Sequence, residues 1–377
     1  MNINQLCNEF NVEPLAVKEL TKGLINNSFI VIGADKKRYL LQEINTKVFK
    51  DVDAVMSNIV AVTNHIRNKY RNNHEDTSTC TLNCLRTSTN DSYIMFIDEN
   101  GQSHHFRMFD FIENANTYDS ADEHLLYECG VGFGKFQKDL ADFPASRLYD
   151  TIPNFHNTKA RYIYFKNLIH RLQAENHSTQ IFEAYPEILL ANNYGKKYAN
   201  VIIGALESGK IPLRVVHNDT KLNNIMIDNF THKAVCAVDL DTVMPGSMLF
   251  DYGDAIRYSA NTGAEDDADL NNVGVDLAKF KSFTTGYLSQ IADCVTDEEL
   301  KLMSKAPAVI AYELGLRFLT DYLEGNHYFK CDPTRPKHNL ERARAQFKLM
   351  REFEKLEPTM QQIIEDSYSR ACEENCN

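Results

Sequence analysis

The stretch Val215–Asp228, VVHNDTKLNNIMID, constrains this chain more than any other. It is a dense polar loop held between two short β-like runs, RVVH and KAVCAVDL, while the chain on either side reads in long helical periods. Polar loops pinned between strands are where chemistry collects, because a rigid scaffold fixes side chains that solvent still reaches. Within the loop, His217, Asp219, Lys221 and Asn224 follow the spacing H-x-D-x-K-x-x-N. A compact, anionic Asp can orient a hydroxyl and take its proton, and an amide oxygen can ligate a hard cation without adding charge. A Lys two residues beyond the Asp can offset developing negative charge. Fifteen residues after Asn224, an apolar run ends in Val238-Asp239-Leu240-Asp241 and offers further carboxylates.

The remaining pattern supplies the scaffold. Two β-rich runs, Ser28–Ile32 and Tyr39–Ile44, joined by Gly-Ala-Asp-Lys-Lys, predict a hairpin. Apolar Val52, Val55, Met56, Ile59, Val60, Val62 and Ile66 predict a helix over Lys50–Tyr70, and strands are expected at Thr79–Arg86, Ser92–Asp98 and His104–Ile112. After Glu113 the periods predict helices over Ser120–Asp142, Thr158–Ala174, Gln180–Glu207, Asp269–Ile291, Thr296–Leu323 and His338–Lys355. The expected fold class is therefore α+β, with an N-terminal antiparallel sheet and one helix in residues 1–112 and a mostly helical part in 113–377. Gly130, Gly132 and Gly134 fall inside a helical period, which points to close helix packing and not to a dinucleotide loop.

Charge removes several classes of function. Forty Lys and Arg against 52 Asp and Glu give a net charge of -12, the wrong sign for neutralising a nucleic acid backbone. No apolar run reaches the length of a membrane span, and MNINQLCNEF lacks a basic segment followed by an apolar one, so a cytoplasmic protein without a membrane partner is expected. Nine scattered Cys read as thiols, without the paired spacing of a zinc site.

The polar loop and the DLD run resemble the catalytic segment of the protein-kinase-like superfamily. The segments INNSF, YLLQEIN, FIENANTYD, GKFQKDLADFPASRLYDTIPNFHNT, LRVVHNDTKLNN, VDLDTVMPGS, FDYGDAIR and ELGLRFLTDYLEGNHYF resemble the N-acetylhexosamine 1-kinases of the aminoglycoside phosphotransferase-like group, from about Gly23 to Lys355. The resemblance implies a protein-kinase-like two-lobe fold using ATP and Mg2+ to phosphorylate the anomeric hydroxyl of N-acetylglucosamine or N-acetylgalactosamine. It implies that Asp219 orients the acceptor hydroxyl, that Lys221 offsets phosphoryl charge, and that Asn224 and Asp239 hold magnesium, with Asp241 as a second ligand or a support. It also places Gly23, Asn26, Asn27 and Ser28 over the nucleotide phosphates, Asp110 and Ile112 at the adenine hinge, and Arg317 and Tyr328 on the sugar. Arg257 either reaches substrate or pairs with Asp254.

The superfamily's strand Lys and its helix Glu partner are absent together. The matching strand reads Tyr39-Leu40-Leu41-Gln42, and Lys50–Tyr70 contains no Glu. Losing both avoids stranding one buried charge, and it leaves Gln42 to hydrogen-bond phosphate or backbone. For Arg317, an ion pair with Asp321 one helical turn on is the competing expectation. Two other functions fit the same motifs: a kinase of another small alcohol, of aminoglycoside, choline or homoserine type, and a nucleotide-binding scaffold without catalysis.

Overall fold

The computed structural model describes residues 2–20, 25–175 and 178–375. In chain order the elements are α1 Ile3–Glu9, β1 Pro14–Leu20, β2 Asn27–Gly33, β3 Arg38–Glu43, α2 Val52–Asn72, β4 Ile94–Ile97, β5 Ser103–Asp110, β6 Ala115–Asn116, α3 Glu123–Asp139, α4 Thr158–Ala174 and α5 Ser178–Glu183. There follow α6 Tyr185–Tyr198, α7 Val201–Glu207, β7 Arg214–Val216, β8 Ile225–Asp228, β9 Ala234–Ala237, β10 Met244–Gly246, α8 Met248–Ser259, α9 Leu277–Ile291, α10 Asp297–Met303, α11 Ala306–Glu324 and α12 His338–Asn375. Compactness gathers Met1–Thr117, Asp139–Pro153 and Asn224–Pro245 into one unit, and Tyr118–Lys138, Asn154–Asn223 and Gly246–Asn377 into another. The sequence reading divides the chain once, between 112 and 113. The structure instead returns two later segments to the N-terminal unit.

The first unit is built on a five-stranded antiparallel sheet in the order β1-β2-β3-β5-β4. Its register sets Ser28 opposite Gln42 and Gln42 opposite Arg107, so three polar side chains stand in a row across β2, β3 and β5. Helix α2 starts where expected, because the Asp51 side chain accepts from the Ala54 N–H at 2.9 Å and caps it. It buries Val52, Val55, Met56, Ile59, Val62 and Ile66. Three expectations need correction. Thr79–Arg86 is not a strand; it makes an isolated bridge between Cys84 and Phe109, because β4 occupies the neighbouring stretch of the β5 edge. Conversely, β1 escapes the sequence pattern, since this edge strand is exposed at Leu15–Glu19 and shows no buried face. The expected single helix also gains α1, whose Leu6 and Cys7 pack with Phe10, Val31, Leu41 and Met108. The same unit holds a small sheet in the order β6-β8-β9.

The second unit is helical around α11, which is buried on nearly every side. A Cβ added at Gly130 would lie 2.2 Å from the Phe283 carbonyl oxygen and one at Gly134 2.6 Å from that of Tyr287. Those glycines let α3 lie directly on α9, as the helix-packing reading requires. Gln180–Glu207 is three helices instead of one, with Pro186 in the first turn of α6. Thr296–Leu323 divides into α10 and α11, and α12 runs on through Pro358 to Asn375. The described cysteines are thiols, and among the described residues no helix is long and apolar enough to cross a membrane.

Candidate active site

In the helical unit, β7 carries the chain into the polar loop. Val215 and Val216 are buried, and the next two residues are anchored by one carboxylate. The His217 N–H donates to Asp251 Oδ2 at 2.8 Å and the Asn218 N–H to Oδ1 at 2.7 Å, while Gln137 Nε2 donates to Oδ2 at 3.0 Å. Thr220 Oγ1 donates to the Asp251 carbonyl at 2.8 Å. Asn218 adopts φ 64°, a left-handed turn that Asn tolerates better than most residues. His217 is fully buried, edge-on to Phe133 and Phe136, and its Nδ1 accepts from the Asp219 N–H at 3.3 Å. Burial pushes the Asp251 carboxyl up, while His217 and the two N–H donors pull it down without reversing the direction. The anchored turn presents Asp219 and Lys221 as a pair, Nζ to Oδ1 at 2.9 Å, on its solvent-accessible side.

Helix α8 carries two aspartates close together, Asp251 and Asp254, and Asp251 is the one that braces the loop. Asp254 instead pairs with Arg257 at 2.9 Å, and Arg257 also meets Glu265 at 3.2 Å. The Arg257 guanidinium is therefore buried within its own helical neighbourhood, and pairing describes it.

In the sheet-containing unit, Asn224 and Asp239 are held by adjacent backbones. Strands β8 and β9 pair antiparallel with Ile225 opposite Ala237, and the Val238 N–H donates to the Asn224 carbonyl at 2.9 Å. Asp239 follows with φ 59° and ψ 59°, a left-handed conformation that is uncommon outside Gly and Asn. An amide oxygen and a carboxylate are hard-oxygen donors of the kind that suits Mg2+. Among the described residues no group of three His, Cys, Asp or Glu could hold a metal unaided. A nucleotide-borne Mg2+ takes most of its ligands from phosphates and water and needs only one or two protein oxygens.

Asp241 is engaged differently. It is 3% exposed, its Oδ1 is ion-paired with Arg107 Nη1, and its Oδ2 accepts from Asn26 Nδ2 at 2.6 Å. Arg107 Nε and Nη2 both donate to Gln42 Oε1, at 3.1 and 3.0 Å, and Gln42 Nε2 donates to Ser28 Oγ at 3.0 Å. Burial works against the charge on Arg107, but Asp241, helped by Asp239, outweighs it and holds the guanidinium above its ordinary value. Asn26, Ser28, Gln42 and Asp241 thus form one network through Arg107, which the sequence reading omits. The available signal is a lone Arg inside the apolar strand text FRMFDFI, because a charge there must find a partner.

The other candidate residues lie apart from this network. Asn27 donates to Glu43 at 2.8 Å, Asp110 accepts from Asn83 at 2.6 Å, and Ile112 is buried. Gly23 lies outside the described residues.

Arg317, in the helical unit, faces three aromatic rings, Phe155 at 5.7 Å, Tyr328 at 5.9 Å and Phe329 at 5.3 Å. The pair with Asp321 does not form. Asp321 instead accepts from the N–H groups of His327, Tyr328 and Phe329 at 2.8–2.9 Å and from Asn339 Nδ2 at 2.8 Å, so it anchors the turn that carries Tyr328. Tyr328 is 71% exposed and lines a cavity of about 710 Å³ with Arg171, His327 and the carboxylates Glu175, Asp321 and Glu324.

A family model described as the phosphotransferase enzyme family matches residues 16–281. The structure is similar to that of an aminoglycoside phosphotransferase from Alicyclobacillus acidocaldarius, at 14% identity and a TM-score of 0.61 over 95% of this chain and 97% of that one. It is also similar to a microcompartment-associated aminopropanol kinase, at 13% identity and a TM-score of 0.56 over 94% of this chain and 97% of that one. A choline kinase from Cryptosporidium parvum gives 17% identity and a TM-score of 0.51 over 90% and 89%. These likenesses establish the fold class, an N-terminal antiparallel sheet and a mostly helical C-terminal part of the protein-kinase-like two-lobe type.

Proposed function

The chain belongs to the phosphotransferase enzyme family, and from that premise we propose that it transfers a phosphoryl group from ATP to the anomeric hydroxyl of a neutral N-acetylhexosamine. The observation that carries the reaction class is the Asp219–Lys221 pair, presented by a loop whose backbone is fixed on buried Asp251. Asp219 orients the acceptor hydroxyl and takes its proton, and Lys221 offsets charge on the phosphoryl group in flight. Asn224 and Asp239 hold Mg2+, which neutralises the nucleotide phosphates when bound. The tests are Asp239→Ala and Asn224→Ala. Each is expected to need at least about tenfold more magnesium for half-maximal rate at fixed ATP, since each removes an oxygen ligand. Wild-type magnesium dependence in both variants would remove the two residues from the metal site.

The acceptor class rests on Arg317 together with the sequence resemblance to the N-acetylhexosamine 1-kinases. The rings that could stabilise a cationic acceptor already face the Arg317 guanidinium. Arg161 adds a second positive charge nearby: burial pulls it down, Glu313 opposes this, and Arg317 repels it. A choline-like or aminoglycoside-like acceptor would meet a guanidinium already on those rings. A neutral sugar instead offers hydroxyl and acetamido oxygens that accept from a guanidinium. Arg317→Lys is expected to raise KM for sugar about tenfold while KM for ATP stays near wild type, because Lys lacks the planar fork. A lowered Tm with an unchanged ratio of the two KM values would make Arg317 structural.

A further inference from the structure

The strand position where the superfamily carries a phosphate-binding Lys holds Gln42, and α2 offers no Glu to pair with one. One strand over, the register sets Arg107 directly opposite Gln42. Arg107 is 2% exposed, so its charge cannot be left to water, and it is satisfied by Asp241 and by the Gln42 amide oxygen. Asp241 lies two residues after Asp239, within the short 3₁₀ turn Leu240–Thr242.

That turn is pinned along its length. The Val238 N–H is bound to the Asn224 carbonyl, Asp241 is clasped by Arg107 and Asn26, and the Val243 carbonyl accepts from Asn58 Nδ2 at 2.9 Å. Asn58 also donates to the Tyr149 carbonyl at 2.8 Å and accepts from the Tyr149 N–H at 2.9 Å. Between these anchors Asp239 is held left-handed, a conformation that is strained for a non-Gly residue and persists only where its surroundings impose it.

We infer that Arg107 and Asp241 form the positioning pair of this site, in place of the missing strand Lys and helix Glu. Clasped by Arg107 and Asn26, Asp241 does not ligate metal; it fixes the turn so that Asp239 alone of the two presents its carboxylate to the cation. Gln42 orients the guanidinium and joins the pair to Ser28 on the neighbouring strand. This inference rests on the proposed ATP and magnesium reading.

The experiment measures Mn2+ binding to the full chain in the presence of ADP by the EPR signal of free Mn2+, alongside ADP binding without metal and Tm. Arg107→Met/Asp241→Asn removes both charges and leaves no buried ion alone. It is expected to weaken metal-dependent binding about tenfold while metal-free ADP binding stays within about twofold. Arg107→Lys keeps the charge but loses the fork to Gln42 and should fall between, with partial recovery. Asp241→Asn alone retains an acceptor for Arg107 and should cost far less than Asp239→Asn. Should the double variant not fold, Arg107→Lys and the comparison of Asp241→Asn with Asp239→Asn decide. Equal losses in those two Asn variants, or a double variant that lowers Tm and binds Mn2+ with ADP like wild type, would overturn the inference. Wild-type protein that binds no Mn2+ with ADP would overturn the magnesium reading itself.

Discussion

Asp219→Asn is expected to lower kcat by about two to four powers of ten and to leave ADP affinity close to wild type. The loop supports so specific a loss. Its backbone at His217 and Asn218 is fixed by Asp251, and neither contact involves the Asp219 side chain. An Asn at 219 keeps the size of the side chain and can still accept a hydrogen bond from Lys221, so fold and charge-neutralising geometry should persist. What disappears is the anionic oxygen that accepts a hydroxyl proton. Steady-state rates with saturating ATP and acceptor, together with an ADP titration, check the split. A variant retaining more than about a tenth of wild-type kcat would exclude Asp219 from this role.

Asp251→Ala should produce the largest loss of stability in the helical unit, about 3–5 kcal/mol, with activity falling even below the melting transition. The substitution removes the acceptor of the His217 and Asn218 N–H groups and of one Gln137 amide N–H, whose nitrogen keeps its bond to the Val215 carbonyl, in a buried setting. Each such donor costs about 1–3 kcal/mol, and the three are coupled through one carboxylate, so their costs do not simply add. Asp254→Ala is the contrasting variant. It removes one partner of Arg257 while Glu265 remains, and the expected loss is clearly smaller. Urea unfolding of both variants measures the difference, and equal destabilisation would contradict the assignment of Asp251 as the brace.

These contrasts also mark where sequence reasoning reaches its limit. The polar loop and the DLD run are legible because their residues lie close along the chain, and spacing alone carries the chemistry. Arg107 is not legible that way. Its partners are Gln42 on a neighbouring strand, brought opposite by register, and Asp241 in a turn far along the chain, brought in by tertiary packing. The Arg317–Asp321 spacing satisfies the one-turn rule, yet Gly325 and Asn326 take positive φ and fold the following turn back onto Asp321. A local pairing rule cannot anticipate a competitor that arrives from beyond the helix end. The sheet and the mostly helical second part follow from periodicity, whereas exposed β1 lacks a buried face to announce it.

The most direct test of the central claim is 31P NMR of the product formed from ATP, Mg2+ and either N-acetylglucosamine or N-acetylgalactosamine. The expected result is sugar-dependent formation of ADP and one new sugar phosphate that mild acid hydrolyses, because a phosphate on the anomeric carbon leaves through an oxocarbenium-like transition state. Asp219→Asn should nearly abolish it. An acid-stable phosphate on another hydroxyl, or faster phosphorylation of a cationic alcohol than of either sugar, would contradict the account.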